Sequence, residues 1–552
     1  MLGTCTINDW VAMYGLLSTE PHISSRIKVK PELNKVICTG NGPNRMIQKV
    51  PVLNGRILDS NYPYHIHNCV KNEVESVYRQ LSCNVKCDKS KIKDFALFCN
   101  KYIDKIVSNA SSEDILLRRE WLERYSGNKR RGYEKAMKDL EDGRAIKPSN
   151  MKMHVKTDEK LKIGHGGTIK IKARNITAQE DLSKIIMGPI VESISNCQKR
   201  IDEGYGSGLN HQQRCEKFSK WHNSLLDPVI LCLDGSAFDS TQHKEILDIL
   251  DVPLMLKFYQ KFSLLFDQDP YSKYIESILK NRDQKVYSKN FHYIIEGTQA
   301  TGKMNTSQGN TTRSLLYIRY AASKCGLQEG EWYMEASGDD TIIFIERAIK
   351  DKFIESLYEY VYSTADPLED VTHGLGQIAK KVDEFDDITG VEYLSCHLIS
   401  NGDEIVMMRK LDRLLQLSSW TYKNNFKNPN KRDRLNKGLL VAEGQNIKSQ
   451  CHDIKLFNKM ADMFIRLGDG HYSNSRDKEY HVDRSDSRFL TVNESYERFL
   501  CRFYGLTRKD LRELYNFFDN NNDMYAEFTL RLIDRVEGND MSLLENLKLS
   551  LF

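Results

Sequence analysis

The run "EASGDDTIIFIE", Glu335 to Glu346, sets two adjacent aspartates behind a glycine, between a short mixed segment and a strongly apolar one. Like charges repel, and a buried carboxylate is costly unless something compensates it. A cation is the simplest compensation; a plain polar turn is the alternative, because Asp beside Gly is common at hairpin tips. The flanks read as two strands joined by a tight turn, with Gly338 permitting sharp backbone geometry and Asp339 and Asp340 at the tip.

If a cation is held there, further ligands are needed. "VILCLDGSAFD" supplies one. Val229 to Leu233 is an unbroken apolar run, as expected of a central strand. Asp234 stands at its end, and Asp239 is expected to begin the following helix. Brought beside the hairpin tip, Asp234 completes a set of three carboxylates with Asp339 and Asp340. Hard oxygen ligands of this kind, with substrate phosphates, suit Mg²⁺ or Mn²⁺. Two such ions about 4 Å apart serve in-line phosphoryl displacement.

A third element is "GTQATGKMNTSQGNTT", Gly297 to Thr312, with three glycines, small hydroxyl residues and two asparagines ahead of a helix. Glycines such as Gly302 let backbone approach a ligand, and Thr301, Thr306 and Asn310 are suited to a sugar hydroxyl or a template backbone. The plain alternative is a loop with a helix N-cap at Asn310 or Thr311.

The rest of the chain bounds the reading. Its 552 residues allow several domains or one multi-lobed body. A net charge of +4 does not by itself imply nucleic acid; a local basic surface is required. Thirteen scattered cysteines read as reduced thiols. No stretch approaches the roughly 18 apolar residues of a membrane-spanning helix. Residues 1–60 read as short strands and turns, 67–145 as helical, 151–176 as more alternating, and the chain after about 400 as mostly helical and charged, with a loop at "NNFKNPNKRDRLNKG". A glycine-rich loop, "EGYGSGLN", precedes the central strand. His65, His67, Cys69, Cys83 and Cys87 raise a zinc alternative, although their spacing fits no strong ligand pattern.

Taken together and in this order, "DGSAFD", "TGKMNTSQGN" and "SGDD" resemble palm motifs A, B and C of viral RNA-dependent RNA polymerases of positive-strand RNA viruses. "IKIKARNI" is similar to motif F, "LGQIAKKV" to motif D and "GVEYLSCHL" to motif E. "YSGNKRRGYEKAM", "GLNHQQR" and the "MNTSQGN" form of motif B look most like the tombusvirus- and nodavirus-like group, while "FDST" leans towards flavivirus-like enzymes. The likeness covers roughly residues 120–415. Departures are Thr301-Gly302 where Ser-Gly is usual and Ala173 where proline is common in the plant-virus enzymes.

The resemblance implies an α+β right-hand polymerase of fingers, palm and thumb with an antiparallel palm sheet. Residues 1–225 would form an N-terminal extension and fingers, 226–400 the palm with a fingers insertion at about 252–295, and 401–552 the thumb and C-terminal region. It implies RNA-templated RNA synthesis. Asp234 and Asp339 would bind Mg²⁺ or Mn²⁺ with Asp340 supporting, and Asp239 and Asn310 would read the ribose 2′-hydroxyl, helped by Thr301 or Thr306. Lys170, Lys172 and Arg174 would hold the triphosphate, Lys380 or Lys381 would protonate pyrophosphate, and Lys129, Arg130 and Arg131, placed between helical segments, would line an RNA channel. It reads the His65–Cys69 region as ordinary fingers rather than a zinc site. RNA template, nascent strand and ribonucleoside triphosphates are the implied partners. A membrane-anchored replication partner and the host cytoplasm follow from the same group. A non-catalytic RNA-binding replication or packaging factor and a reverse transcriptase are the competing readings; the intact aspartates oppose the first, and Gly338 with the ribose readers opposes the second.

Overall fold

The computed structural model describes residues 25–29, 46–48, 50–51, 64–66, 69–81, 83–144, 150–157, 162–163, 169–170, 173–266, 275, 278, 284–288, 291–295, 297–328, 330–367, 369–379, 382–402, 404–411, 420–421, 429–451, 454–469 and 494–522. Helices and sheets are mixed, and the sheet that carries the aspartates is antiparallel throughout.

That sheet has four strands in the order Trp332–Ser337, Asp340–Glu346, Pro228–Asp234 and Val382–Phe385. Its middle strands are apolar without a break because both faces are covered. Side chains alternate across a strand, so Leu231, Leu233, Ile343 and Ile345 enter one core while Ile230, Ile342 and Phe344 enter another. The first core is shared with the helices Asp181–Ile201, Thr306–Cys325 and Arg347–Tyr360. The second is closed by Phe218 and Trp221 of the helix His211–Ser224, and by Tyr393, Leu398 and Met407. Those last three come from a three-stranded sheet, Glu392–Tyr393, Cys396–Asn401 and Glu404–Arg409. Leu394 and Ser395 turn its first hairpin with positive φ of 50° and 61°.

A five-stranded sheet joins distant segments: Ser25–Val29, Phe291–Ile295, Gln284–Tyr287, Asn150–Val155 and Asn175–Gln179. It contains one parallel pairing, Lys285 opposite Asn150. Its last strand, Asn175–Gln179, directly follows Arg174.

The helical region between 70 and 141 agrees with its periodicity. Lys129, Arg130 and Arg131, expected between helical segments, lie instead in the first turns of the helix Gly127–Glu141. The helix Asp181–Ile201 runs through Pro189. Proline lacks an N–H, so the Ile185 carbonyl loses its helical donor; the buried Arg118 Nε donates to it at 3.2 Å. Beyond residue 410, the helices Pro429–Cys451, Lys455–Leu467, Glu494–Tyr504 and Arg508–Asn520 share a core around Phe457, Phe464, Leu500 and Leu514. The expected loop over 424–438 is therefore helical from Pro429. Pro429 sits at the first helical position, where its missing N–H costs nothing. His397 Nε2 and the Tyr504 hydroxyl, 2.9 Å apart, tie this group to the three-stranded sheet.

Gly188 shows how closely the helices meet: a Cβ there would lie 2.3 Å from the ring of Trp121, which is fully buried. Alanine gains about 1 kcal/mol of helix propensity over glycine, but overpacking costs about 1–3 kcal/mol and the ring has no room to yield. Gly188→Ala is expected to be destabilising by up to about 2 kcal/mol net, measured as a lower denaturant midpoint at unchanged slope.

Candidate active site

The backbone brings the three aspartates together. Asp340 lies opposite Asp234 in the antiparallel ladder, and Ser337 pairs with Asp340 across the turn Gly338–Asp339. Directly opposed residues have Cα atoms about 4.5–5.5 Å apart, so the end of the central strand and the hairpin tip form one ledge. Asp339 is exposed and Asp340 half-buried.

Gly338 takes φ of +70°, which makes the turn possible. The helix Thr306–Cys325 then grips it at two points: the Gly338 N–H donates to Thr311 Oγ1 at 2.9 Å, and Ser314 Oγ donates to the Gly338 carbonyl at 2.8 Å. The helix begins at Thr306, earlier than the cap at Asn310 or Thr311 of the plain alternative. That earlier start is what turns Thr311 and Ser314 towards the hairpin, one above the other on the helix surface.

Behind the turn, Glu335 is completely buried. Arg214 Nε donates to its Oε1 at 2.7 Å, the Tyr393 hydroxyl donates to the same oxygen at 3.1 Å, and the Lys217 ammonium pairs with Oε2. Burial lowers the Lys217 pKa, and the Glu335 charge opposes that shift. The glycine-rich loop closes over this cluster. Ala336 N–H donates to Gly204 O at 3.0 Å and Gly206 N–H to Ala336 O at 2.8 Å; a Cβ on Gly206 would meet Glu335 Cγ at 2.5 Å. The glycines are there for this approach.

Asp239 does not begin a helix. It sits in a turn that starts at Ala237, whose φ is +55°, and helical structure begins at Lys244. A wide turn follows over Leu247–Asp251, with the Val252 N–H bonded to Leu247 O, ahead of Pro253 and the helix Val252–Lys261. Asn310 Nδ2 donates to Asp239 Oδ1 at 3.0 Å, and the Gln299 N–H donates to the Asp239 carbonyl at 2.9 Å. Burial raises the Asp239 pKa; the Asn310 hydrogen bond opposes this, the charge of Asp339 adds to it, and Arg313 and Arg174 oppose it. Asp239 therefore feels both the hairpin tip and Arg174, an exposed residue just ahead of the Asn175–Gln179 strand.

The two threonines of the loop are engaged elsewhere. Thr301 Oγ1 donates to Asn175 O at 3.2 Å and accepts from Thr177 N–H at 3.1 Å. Gly302 continues the contact, its N–H donating to Thr177 O at 3.0 Å. Thr306 Oγ1 lies 2.9 Å from both Ala300 O and Lys303 O and accepts from Gln299 Nε2 at 3.1 Å. In this arrangement both hydroxyls brace the loop. Lys129, Arg130 and Arg131 have partners on their own segment: Lys129 lies 4.7 Å over the Tyr125 ring, Arg130 meets Glu134 at 2.8 Å and Arg131 meets Asn128.

Lys170 is placed by its backbone in the short Ile169–Lys170 strand; Lys172, Lys380, Lys381 and His67 lie outside the described residues. His65 pairs with Ile47 in a two-stranded ladder. Among the described residues no group of three His, Cys, Asp or Glu side chains has metal-ligand geometry. Burial raises the thiol pKa of Cys83 to about 11 and that of Cys87 well above its usual value. Sequence reasoning missed Glu335, Arg214, Lys217, Thr311, Ser314, Gln299, Asp251 and Arg313. The one signal the sequence held was Glu335 set between the apolar Met334 and Ala336.

A cavity of about 90 Å³ lies behind the loop, lined by Met151, Met187, Met255, Asp251, Gln299 and Lys303. Burial lowers the Lys303 pKa to about 8, against the opposing charge of Asp251. A lysine depressed in the folded state weakens the fold while both states are protonated; the penalty fades as pH rises from about 8 towards about 10.4. Lys303→Met is expected to be more stable than the parent near pH 7, by about 1–2 kcal/mol after allowing for partial exposure of the side chain. The gap should narrow as pH rises above about 8 and be gone only beyond about 10.4. Thermal unfolding of both proteins across this range checks it; a gap that does not change with pH contradicts the burial of a charged amine.

Residues 39–427 match the family described as viral RNA dependent RNA polymerase. The RNA-directed RNA polymerase of Tobacco necrosis virus (strain D) is 24% identical over 287 residues, covering 48% of this chain and 36% of that protein. The RNA-directed RNA polymerase of Oat chlorotic stunt virus (isolate United Kingdom) is 23% identical over 321 residues, covering 53% of this chain and 39% of that protein. The matched regions thus span less than two-fifths of the relatives' own length. With the family matched over more than half its length, in a segment that contains the whole aspartate ledge, this chain belongs to the viral RNA-dependent RNA polymerases.

Proposed function

We propose that the chain catalyses RNA-templated RNA synthesis, copying a viral RNA genome by nucleotidyl transfer. The observation that carries this reading is the register of Asp234 against Asp340 beneath the Gly338–Asp339 turn, with the Asp239–Asn310 pair alongside. The family match supports it.

The donor set fits divalent cations: Asp234, Asp339 and Asp340 offer only hard oxygen ligands, and the unbalanced charge of Asp339 already perturbs Asp239. Mg²⁺ or Mn²⁺ held by these residues would supply activation of the attacking 3′-hydroxyl and neutralisation of phosphate charge. The rest falls to the chain. The clamp by Thr311 and Ser314 keeps the hairpin tip in place, which is pre-organisation rather than chemistry. Asp239 and Asn310 receive the ribose 2′-hydroxyl, and a nucleotide lacking it leaves buried polar groups unpaired. Arg174, with Lys170 and Lys172, holds the triphosphate, Lys380 or Lys381 protonates pyrophosphate, and Lys129, Arg130 and Arg131 follow the RNA backbone.

The same reading assigns fingers to residues before about 225 and to the insertion at about 252–295, the palm to the remainder of 226–400 and the thumb to the region after 401. The strands within the insertion pair with those at 150–155 and 25–29, which supports grouping them. Among the described residues no helix is long and apolar enough to cross a membrane. Work at a replication membrane in the host cytoplasm would then run through a membrane-anchored partner.

Labelled ribonucleotide incorporation on a short RNA template with Mg²⁺ or Mn²⁺ tests the activity. Asp339→Ala is expected to lose at least about a hundredfold in rate while remaining folded, since Asp339 lies on an exposed turn. Synthesis that survives the substitution overturns the assignment. RNA binding without synthesis by the parent points to the non-catalytic replication factor.

A further inference from the structure

Arg313 is fully buried in the middle of the Thr306–Cys325 helix and joins two other segments to a residue of its own helix. Its Nη1 pairs with Asp251 Oδ1 at the end of the wide turn after Asp239. Its Nη2 donates to Asn310 Oδ1 and, at 3.2 Å, to Gln299 Oε1. Asp251 is held in turn by Asn305 Nδ2 at 3.1 Å. Gly309 leaves the space for the pair: a Cβ there would lie 2.8 Å from Asp251 Oδ1 and 3.0 Å from Arg313 Nη1.

Donor chemistry makes this arrangement directional. A guanidinium only donates, so the Asn310 atom facing it must be the carbonyl oxygen. The amide nitrogen is thereby turned to Asp239, which it meets at 3.0 Å. An amide nitrogen has two hydrogens and Asp239 Oδ1 takes one of them; the other hydrogen and the second carboxylate oxygen are the groups suited to a ribose hydroxyl. Gln299, held by the same guanidinium nitrogen, fixes Asp239 from the other side through its backbone N–H at 2.9 Å. One side chain therefore sets both a support of the carboxylate and a support of the main chain that carries it.

We propose that Arg313 is the positioning residue for ribose selectivity, holding Asn310 and Gln299 so that the Asp239–Asn310 pair presents one hydrogen-bonding pattern to the incoming sugar. This deepens the polymerase reading and rests on it. Arg313 itself touches no substrate, so a merely structural pillar is the rival account. The two differ in what they change: a pillar lowers activity towards every nucleotide alike, whereas a positioning residue changes the preference between nucleotides.

The test compares kcat and KM for a ribonucleoside triphosphate and its 2′-deoxy counterpart, using the full chain on a short RNA template. The parent is set beside Arg313→Lys and the charge-neutral pair Asp251→Asn with Arg313→Gln. Lysine keeps a cation against Asp251 but has one nitrogen where the guanidinium uses two, and the neutral pair removes both buried charges together. In variants that retain the parent's thermal unfolding, the ribo-to-deoxy ratio of kcat/KM should fall by about tenfold or more. The fall should come chiefly from a higher KM for the ribonucleotide. An unchanged ratio, whether activity is full or uniformly reduced, overturns the proposal, as does loss of folding in both variants, which makes Arg313 a pillar. Failure of the parent to make RNA rejects the polymerase reading instead, so the two failures are told apart in one assay.

Discussion

Everything at this site depends on one register. Asp340 stands opposite Asp234 because Thr341 to Glu346 pair in turn with Leu233 to Pro228. A shift by one residue would turn each side chain to the opposite face. Ile343 and Ile345 would leave the core they share with Leu231 and Leu233, and Ile342 and Phe344 would leave the core shared with Phe218 and Trp221. Two separate cores thus enforce the same alignment, and the alignment delivers the carboxylates. The apolar runs that look like ordinary strand interior are what aim the charged residues.

Around this ledge the protein places charge where charge is expensive. Glu335 and Asp251 are buried acids on either side of the site, each compensated by a buried arginine. Replacing such pairs by apolar residues is often neutral for stability, so their presence is better explained by the geometry they impose. Arg214 and Lys217 bind Glu335 and with it the strand leading into the aspartate turn. Arg313 and Asp251 bind the loop and the turn around Asp239. Asp339 at the tip of the turn stays exposed while the segments around it are held by these buried pairs.

The hairpin, the central strand and the loop before the Thr306–Cys325 helix were legible in the sequence, because glycine and aspartate interrupting apolar runs have few structural meanings. The supports were not. Glu335 and Arg214 are 121 residues apart, and nothing local distinguishes Arg214 from other charged residues on its helix. Asp239 was misplaced because the turn relies on a positive φ at Ala237, a residue type that gives no warning of it. The helix start at Pro429, inside the expected loop, was not legible because proline both ends helices and begins them. Thr301 and Thr306 have the right chemistry for a sugar, and in the structure their hydroxyls bond main-chain carbonyls, that of Asn175 for Thr301 and those of Ala300 and Lys303 in its own loop for Thr306.

The seam formed by Thr301 and Gly302 joins the loop to the Asn175–Gln179 strand by hydrogen bonds on both sides. A Cβ on Gly302 would lie 2.8 Å from Ala178 Cα, so no side chain separates the two backbones. At that spacing the loop and the strand travel as a single plate. One end of the plate carries Arg174, beside the strand, and the other carries Gln299, bonded to the Asp239 carbonyl. A pull on the Arg174 end is a pull on the Gln299 end, transmitted through main chain and the Thr301 hydroxyl. On the proposed reading, grip on a nucleotide's tail and scrutiny of its ribose would thereby be geared together.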